Sequence, residues 1–366
     1  MHRLAFIAWF LLATVSSAHG QWEMEDSHTT ADLRGIDAVG AGVAWASGSS
    51  GTVLRTEDGG ILWQQCAVPP GAEHMDFRGI QAFDAKTAIV MSSGKGELSR
   101  LYKTTDGCHS WKSILKNSDK DGFWDAFQFS DKEMGWILGD PVRGEFQLWE
   151  TNSGGKDWVR EGKSDALKAD SKSMGAFASS NSALNLGGPK APFVMFGSGG
   201  ISGAFLFAVD DVTVCIDDCD TAPKHHWRRV VTPIVGGSES SGIFSVLMRD
   251  ASAGVIVGGD YLKPEDATRT AAYTEDGGKT WHAGETLPHG YRSSVAYDAA
   301  SKTWITVGPN GTDISTDDGH NWRALQPDPA LKENADADRK WNAISLPFVV
   351  GPHGRIGKLN GRALAP

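Results

Sequence analysis

Three arginines carry the clearest chemical signal in this 366-residue sequence. Arg34 in Leu33-Arg34-Gly35, Arg78 in Phe77-Arg78-Gly79 and Arg292 in Tyr291-Arg292-Ser293 each open a strand-like run. Phe123-Trp124-Asp125, Ser173-Met174-Gly175, Ser241-Gly242 and Lys340-Trp341-Asn342 read as the same position in other units. A guanidinium binds a carboxylate through paired hydrogen bonds, and an aromatic face holds an apolar group beside it. Arg34, Arg78 and Arg292 with walls from Trp124, Tyr291 and Trp341 would therefore receive a peptide tail or a small carboxylate. The adjacent turns add Asp140, Arg143, Asp260, Tyr261, Lys263 and Glu265. They support a second reading, in which the arginines pair with Asp125, Asp140 and Asp260 and hold neighbouring units together. Both readings stay open at the level of sequence.

What must position these residues is a repeat. The phrase Ser/Thr-x-Asp-x-Gly-x-x-Trp recurs from Thr56 to Trp63, Thr104 to Trp111, Thr151 to Trp158, Thr274 to Trp281 and Ser315 to Trp322. Its Asp can accept backbone N–H bonds within the turn, its Gly can take positive φ, and its Trp starts the next strand with a large apolar surface. Trp227, behind His225-His226, marks a damaged copy after an insertion. A second signal is a short apolar run ending in glycine, as in Val43 to Gly48 or Val255 to Gly258; it appears seven times. Units of roughly 40 to 60 residues with four short strands each predict an all-β fold, a seven-bladed β-propeller with four-stranded antiparallel blades. The last unit, Trp341 to Leu359, has residues for three strands, so a strand around Trp22 is expected to close it and remove an open sheet edge. The arginine-bearing strand starts would line a central funnel, with the turns of the repeated phrase on the opposite face. The insertion Tyr261 to Thr270 is longer than its counterparts and reads either as a solvated loop or as an overhang on that funnel.

Residues 1–20 read as a secretion signal: His2-Arg3, an apolar stretch from Leu4 to Val15, then small residues from Ser16 to Gly20. The apolar stretch is shorter than the roughly 20 residues a membrane helix needs. The expected product is an exported propeller spanning 21–366, periplasmic or extracellular, monomeric and not membrane-spanning. A net charge of −10 argues against nucleic acid as a partner. In an exported chain the four cysteines favour disulfides. Cys66 and Cys108 fall on neighbouring units and are placed to pair, while Cys215 and Cys219 could close a small loop. Zinc held by Cys215, Cys219, His225 and His226 is the sharper alternative, but that spacing matches no common ligand pattern. No metal and no cofactor are expected.

The repeated phrase is similar to the Asp-box, or bacterial neuraminidase repeat, and the whole chain resembles the photosystem II stability/assembly factor family of exported propellers. Leu33-Arg34-Gly35-Ile36, Trp45-Ala46-Ser47-Gly48, Gly51 to Thr56 and Asp58-Gly59-Gly60 carry the likeness most clearly. The resemblance implies a non-catalytic chaperone or scaffold whose arginine-rich face binds a membrane-complex subunit before assembly, with Arg34, Arg78 and Arg292 in that role. Sialidases and other glycosidases use the same box, so a sialidase-type glycoside hydrolase is the rival expectation. It would need an arginine triad and a Tyr–Glu pair, for which Tyr291 and Glu265 are the candidates. The chain has no Arg-Ile-Pro near its first unit, and seven units where sialidases have six.

Overall fold

The structure, a computed structural model, describes residues 21–188, 192–209, 225–325, 336–360 and 364. The proposed secretion signal and the Cys215–Cys219 loop lie outside the described residues. Seven antiparallel sheets stand around a central channel, each with its first strand innermost. Blade 1 comprises Leu33–Gly40, Val43–Gly48, Val53–Thr56 and Gln64–Gln65. Blades 2, 3 and 6 repeat that order, with innermost strands Phe77–Ala82, Trp124–Phe129 and Ser294–Asp298. Blade 4 starts at Leu184–Leu186, and blade 5, built on Ser238–Met248, gains a fifth strand from Gly199–Gly200. Blade 7 supplies three strands of its own, and Trp22–Glu25 completes it by pairing with Leu359 to Ile356. The Trp22 indole then donates to Thr312 on blade 6 at 3.2 Å, anchoring the closure.

The apolar core is divided as a repeat protein requires, with stability residing in nearest-neighbour interfaces. Seven hydrophobic clusters occur among the described residues, one between each pair of adjacent blades. Trp63 packs at the interface of blades 7 and 1, and Trp227 at that of blades 3 and 4. Each repeated turn is locked alike. In blade 1, Thr56 Oγ1 donates to Asp58 Oδ1 at 2.8 Å and accepts from Gly60 N at 3.0 Å. Asp58 accepts from Leu62 N at 3.0 Å, and these bonds hold its carboxyl below the usual range. Blade 3 substitutes Ser153 for the acid and keeps the same bonds. In blade 2, Cys108 takes the glycine position with φ of 64° and is disulfide-bonded to Cys66, tying blade 2 to blade 1.

A ring of side chains around the channel adds a polar bolt between blades. Asp37, Gln81, Gln128, Asn185 and Ser345 each accept the N–H of a residue on the next blade's innermost strand. Those donors are Ala82, Phe129, Leu186, Met248 and Ala38, at 2.6 to 3.0 Å. Blades 5 and 6 carry Leu247 and Ala296 in the corresponding places, so the ring is polar on one side and apolar on the other.

Candidate functional site: an arginine and aromatic mouth

The expected funnel exists as a cavity of ≈ 520 Å³ at the mouth formed by the innermost strand starts. What aims side chains into it is a β-bulge near the start of the innermost strand. The register shifts between Leu33 and Gly35, Phe77 and Gly79, Trp124 and Ala126, and Ile243 and Ser245. The skipped residue is pushed out of the ladder and re-aimed. These residues are Arg34, Arg78, Asp125 and Phe244, and all four line the cavity. A small residue must follow, because the neighbouring chain passes close: a Cβ on Gly35 would sit 2.5 Å from Ser47 Oγ.

This register corrects the alignment read from sequence. The glycine ending the second strand abuts the carbonyl of residue 32, 123, 242, 291 or 340. The residues that follow, Leu33, Trp124, Ile243, Arg292 and Trp341, are therefore the equivalent ones, and all are buried. The mouth position in blades 6 and 7 belongs to Ser293 and Asn342. Arg292 is 0 % exposed and is committed inside its blade. Its Nε donates to Asp313 Oδ2 at 2.8 Å and its NH1 to the Tyr291 carbonyl at 2.8 Å, with further bonds to Asn310. Burial lowers the Arg292 pKa while Asp313 opposes that shift. Burial would raise Asp313, but the bond from His289 and the charge of Arg292 outweigh it and hold the carboxyl below its usual value. Trp124 is core, packed among Ile89, Leu101 and Phe127.

Arg34 and Arg78 share one partner that the sequence reading missed, Asp76. Arg78 Nε meets its Oδ2 at 2.8 Å and Arg34 Nε meets its Oδ1 at 3.2 Å. The acid thus holds Arg78 by a hydrogen bond and Arg34 by charge alone, since the Arg34 Nε and Asp76 Oδ1 make no hydrogen bond. Arg78 NH1 donates to the Ala178 carbonyl at 3.1 Å. Neither arginine pairs with Asp125, Asp140 or Asp260, as the second reading required. Asp125 and Asp140 do line the mouth. Burial raises Asp125 well above the carboxylate range, Asp140 adds to that, and Arg78 opposes it. Burial likewise brings Asp140 up to about 6, against a hydrogen bond from Ala176 N at 3.0 Å. Asp260 is buried in the blade 5 turn, where it accepts from Leu262 N, with exposed Lys263 3.8 Å away. Neither of those two lines the cavity.

The opposite wall is aromatic. Phe244 stacks on Phe177 at 3.9 Å between centroids, with Tyr291 edge-on at 4.7 Å and Tyr261 at 6.1 Å. Tyr261, 48 % exposed, lines the mouth from the blade 5 insertion. Trp341 lines the wall from blade 7, beneath the Arg355 guanidinium. Phe177 belongs to a segment invisible to repeat analysis. Residues 176–183, ahead of the blade 4 strand, enter the channel itself. Asn181 donates to the Ile80 carbonyl at 2.9 Å, and Ser182 meets Ser294 at 3.2 Å. This plug separates the mouth from a second cavity of ≈ 320 Å³ on the far side. Aligning the units on the small residue after the mouth position would have revealed Phe244, but nothing in the repeat announces the plug.

Among the described residues no cluster of His, Cys, Asp and Glu could hold a metal ion, and no helix is long and apolar enough to cross a membrane. His225 is instead hydrogen-bonded to Glu161 at 2.7 Å.

No protein-family model and no curated protein matches the sequence. Solved structures do match its shape. YCF48 bound to D1 peptide aligns over 93% of this chain and 97% of its own, with a TM-score of 0.59 at 17% identity. YCF48 from Cyanidioschyzon merolae aligns over 93% and 99%, with a TM-score of 0.55 at 17% identity. The WD40 propeller domain of Doa1 aligns over 95% and 99%, with a TM-score of 0.57 at 10% identity. The chain shares the propeller fold of these proteins and resembles the YCF48 structures over nearly its whole length.

Proposed function

We propose that this chain is a non-catalytic binding propeller whose mouth receives the end of a peptide from a protein partner. The observation that carries the reading is the pairing of Arg34 and Arg78 on one acid. Asp76 is ion-paired with both guanidinium groups, so two positive forks at the cavity balance one negative partner. Burial keeps much of the mouth's other acid, Asp125 and Asp140, protonated toward mildly acidic pH. A carboxylate would meet the forks, and a neighbouring apolar side chain would meet Phe177, Phe244 and Tyr291. The plug limits depth, which favours a terminus inserted end-on over a strand threaded through. YCF48 bound to D1 peptide, a propeller of the same fold, supports a peptide partner. The finer reading is that of an exported assembly factor or scaffold, monomeric, acting on a subunit of a membrane complex. The leader-like residues 1–20 and the Cys66–Cys108 disulfide support export.

Sialidase-type hydrolysis is disfavoured by Arg292, because the third arginine of a substrate triad is consumed by Asp313. Glu265 accepts from Asn310, and among the described residues no hydrogen bond joins its side chain to Tyr291. The test is fluorescence anisotropy with a labelled leucine-containing peptide in free-acid and C-terminally amidated forms. The free acid should bind wild type and lose affinity with R34A/R78A, while the amide should bind weakly to both. Equal binding of the two forms, or of the two proteins, would overturn the assignment.

A further inference from the structure

The cavity beyond the plug has a different chemistry from the mouth. Its volume is ≈ 320 Å³, and of the residues lining it only Asp37 is charged. Asp37 belongs to the ring of inter-blade bolts, and comparison within that ring isolates what is unusual about it. Gln81, Gln128, Asn185 and Ser345 do the same task with neutral groups. Accepting the Ala82 N–H at 2.7 Å needs one oxygen, Oδ2, and an amide oxygen would serve as well. Among the described residues no hydrogen bond reaches the second oxygen, and Asp37 lines the cavity. Among the described residues no cation pairs with it, Arg249 lying instead over the Tyr297 ring at 5.6 Å from its centroid, and burial brings the group up to about 7. The carboxyl touches the narrow channel space yet is ringed by protein, so its charge is poorly solvated. An uncompensated acid at such a place costs stability that Asn would not.

The remaining wall is suited to a short alkyl chain. Leu247, Val295, Ile344 and Leu346 supply aliphatic surface on blades 5 to 7, between which the ring has no bolt, and the Tyr297 ring stands beside them. An acceptor on one side and apolar and aromatic surface on the other match a cation carried on a few methylenes. We propose that this second cavity binds a primary alkylammonium group, with Asp37 Oδ1 accepting its N–H and the aliphatic wall of blades 5 to 7 holding its chain. The group could arrive as a small amine or as a lysine side chain of a partner. The two ends of one channel would then select opposite charges, the mouth an anion and the far cavity a cation.

The probe is n-butylammonium at pH 8, where the carboxyl is ionised, measured by calorimetry on the full chain. Nα-acetyl-lysine methylamide and n-butanol run in parallel. D37N is the key variant, because its amide oxygen can still accept the Ala82 N–H as Gln81 and Gln128 do for their neighbours. Millimolar binding of n-butylammonium that falls at least tenfold in D37N and is unchanged in R34A/R78A is expected. Preference for the lysine derivative over n-butylammonium would point to a partner side chain, and the reverse to a free amine; either supports the site. Failure of both amines to bind would overturn it, as would equal affinity for n-butanol or no loss in D37N. The n-butanol comparison is made on the wild type, so it decides the matter even if D37N does not fold. Neither result bears on the mouth, whose peptide assay uses other residues.

Discussion

Arg78 and Arg292 sit near the starts of innermost strands in blades 2 and 6, one register position apart, and that single step separates their fates. Arg78 occupies the bulged position, is pinned by Asp76 at the edge of a cavity, and stays about 30 % exposed in its side chain. Arg292 occupies the preceding position, where Leu33, Phe77, Trp124, Ile243 and Trp341 serve as core, and is sealed against Asp313. The lesson is that in a strand the pleat and the bulge decide what a charge is for. Residue type sets only what it can do once placed.

The largest effect should come from breaking the buried member. R292A would leave Asp313 buried without its cation, and loss of one partner of a buried pair costs about 3–5 kcal/mol. Urea unfolding should show a clearly lowered midpoint; a shift no larger than that of a surface arginine would mean that Arg292 is not the blade's ionic core. The mouth pair should behave in the opposite way. R34A/R78A should weaken the free-acid peptide by about 10- to 100-fold through loss of charged hydrogen bonds. It should lower the unfolding free energy by less than about 1 kcal/mol, as expected for partly exposed ion pairs.

The two cavities can be compared through pH. The carboxyls of Asp37 and Asp140 rise on folding, to about 7 and about 6. Each binds its proton more tightly folded than unfolded, so each withdraws stability as pH rises from about 4 through its folded value. D37N removes that penalty, which is about 4 kcal/mol for the full shift and less where channel solvent screens the charge, so it should be more stable than wild type by about 1–2 kcal/mol at pH 8, with the gain vanishing near pH 4. Thermal unfolding at the two pH values checks this, and a gain of equal size at both would assign it to packing. The smallest expected effect is constructive. S293R puts an arginine at the true mouth position of blade 6 and should tighten the free-acid peptide by a few fold, about 0.5–1 kcal/mol. Weaker binding would show that the Ser293 side of the mouth is already filled by the peptide.

Much of the architecture is legible in the sequence because it follows from local rules repeated in every unit. The Thr56-x-Asp58 type of turn, the glycine-ended apolar runs and the count of seven fix blades and their order. The short last unit and stray Trp22 foretell the closing strand, and Cys66 and Cys108 fall close enough across two blades to bond. The site was only partly legible. Arg34 and Arg78 were found because both precede a glycine in matching phrases. Arg292 was misplaced because spacing alone cannot tell a bulged residue from its neighbour.

The repeat, the number of blades and the presence of a mouth bearing charge therefore follow from the residues in order. Those depend on short-range turn chemistry and on apolar periodicity, which each unit states independently. Which side chains share that mouth is settled by how the blades pack around the channel. Asp76 meets two arginines from different blades, Phe177 reaches Phe244 from a plug far away in sequence, and Asp37 faces a cavity its own blade does not enclose. Such meetings arise when the ring closes, and ring closure joins residues that no local pattern connects.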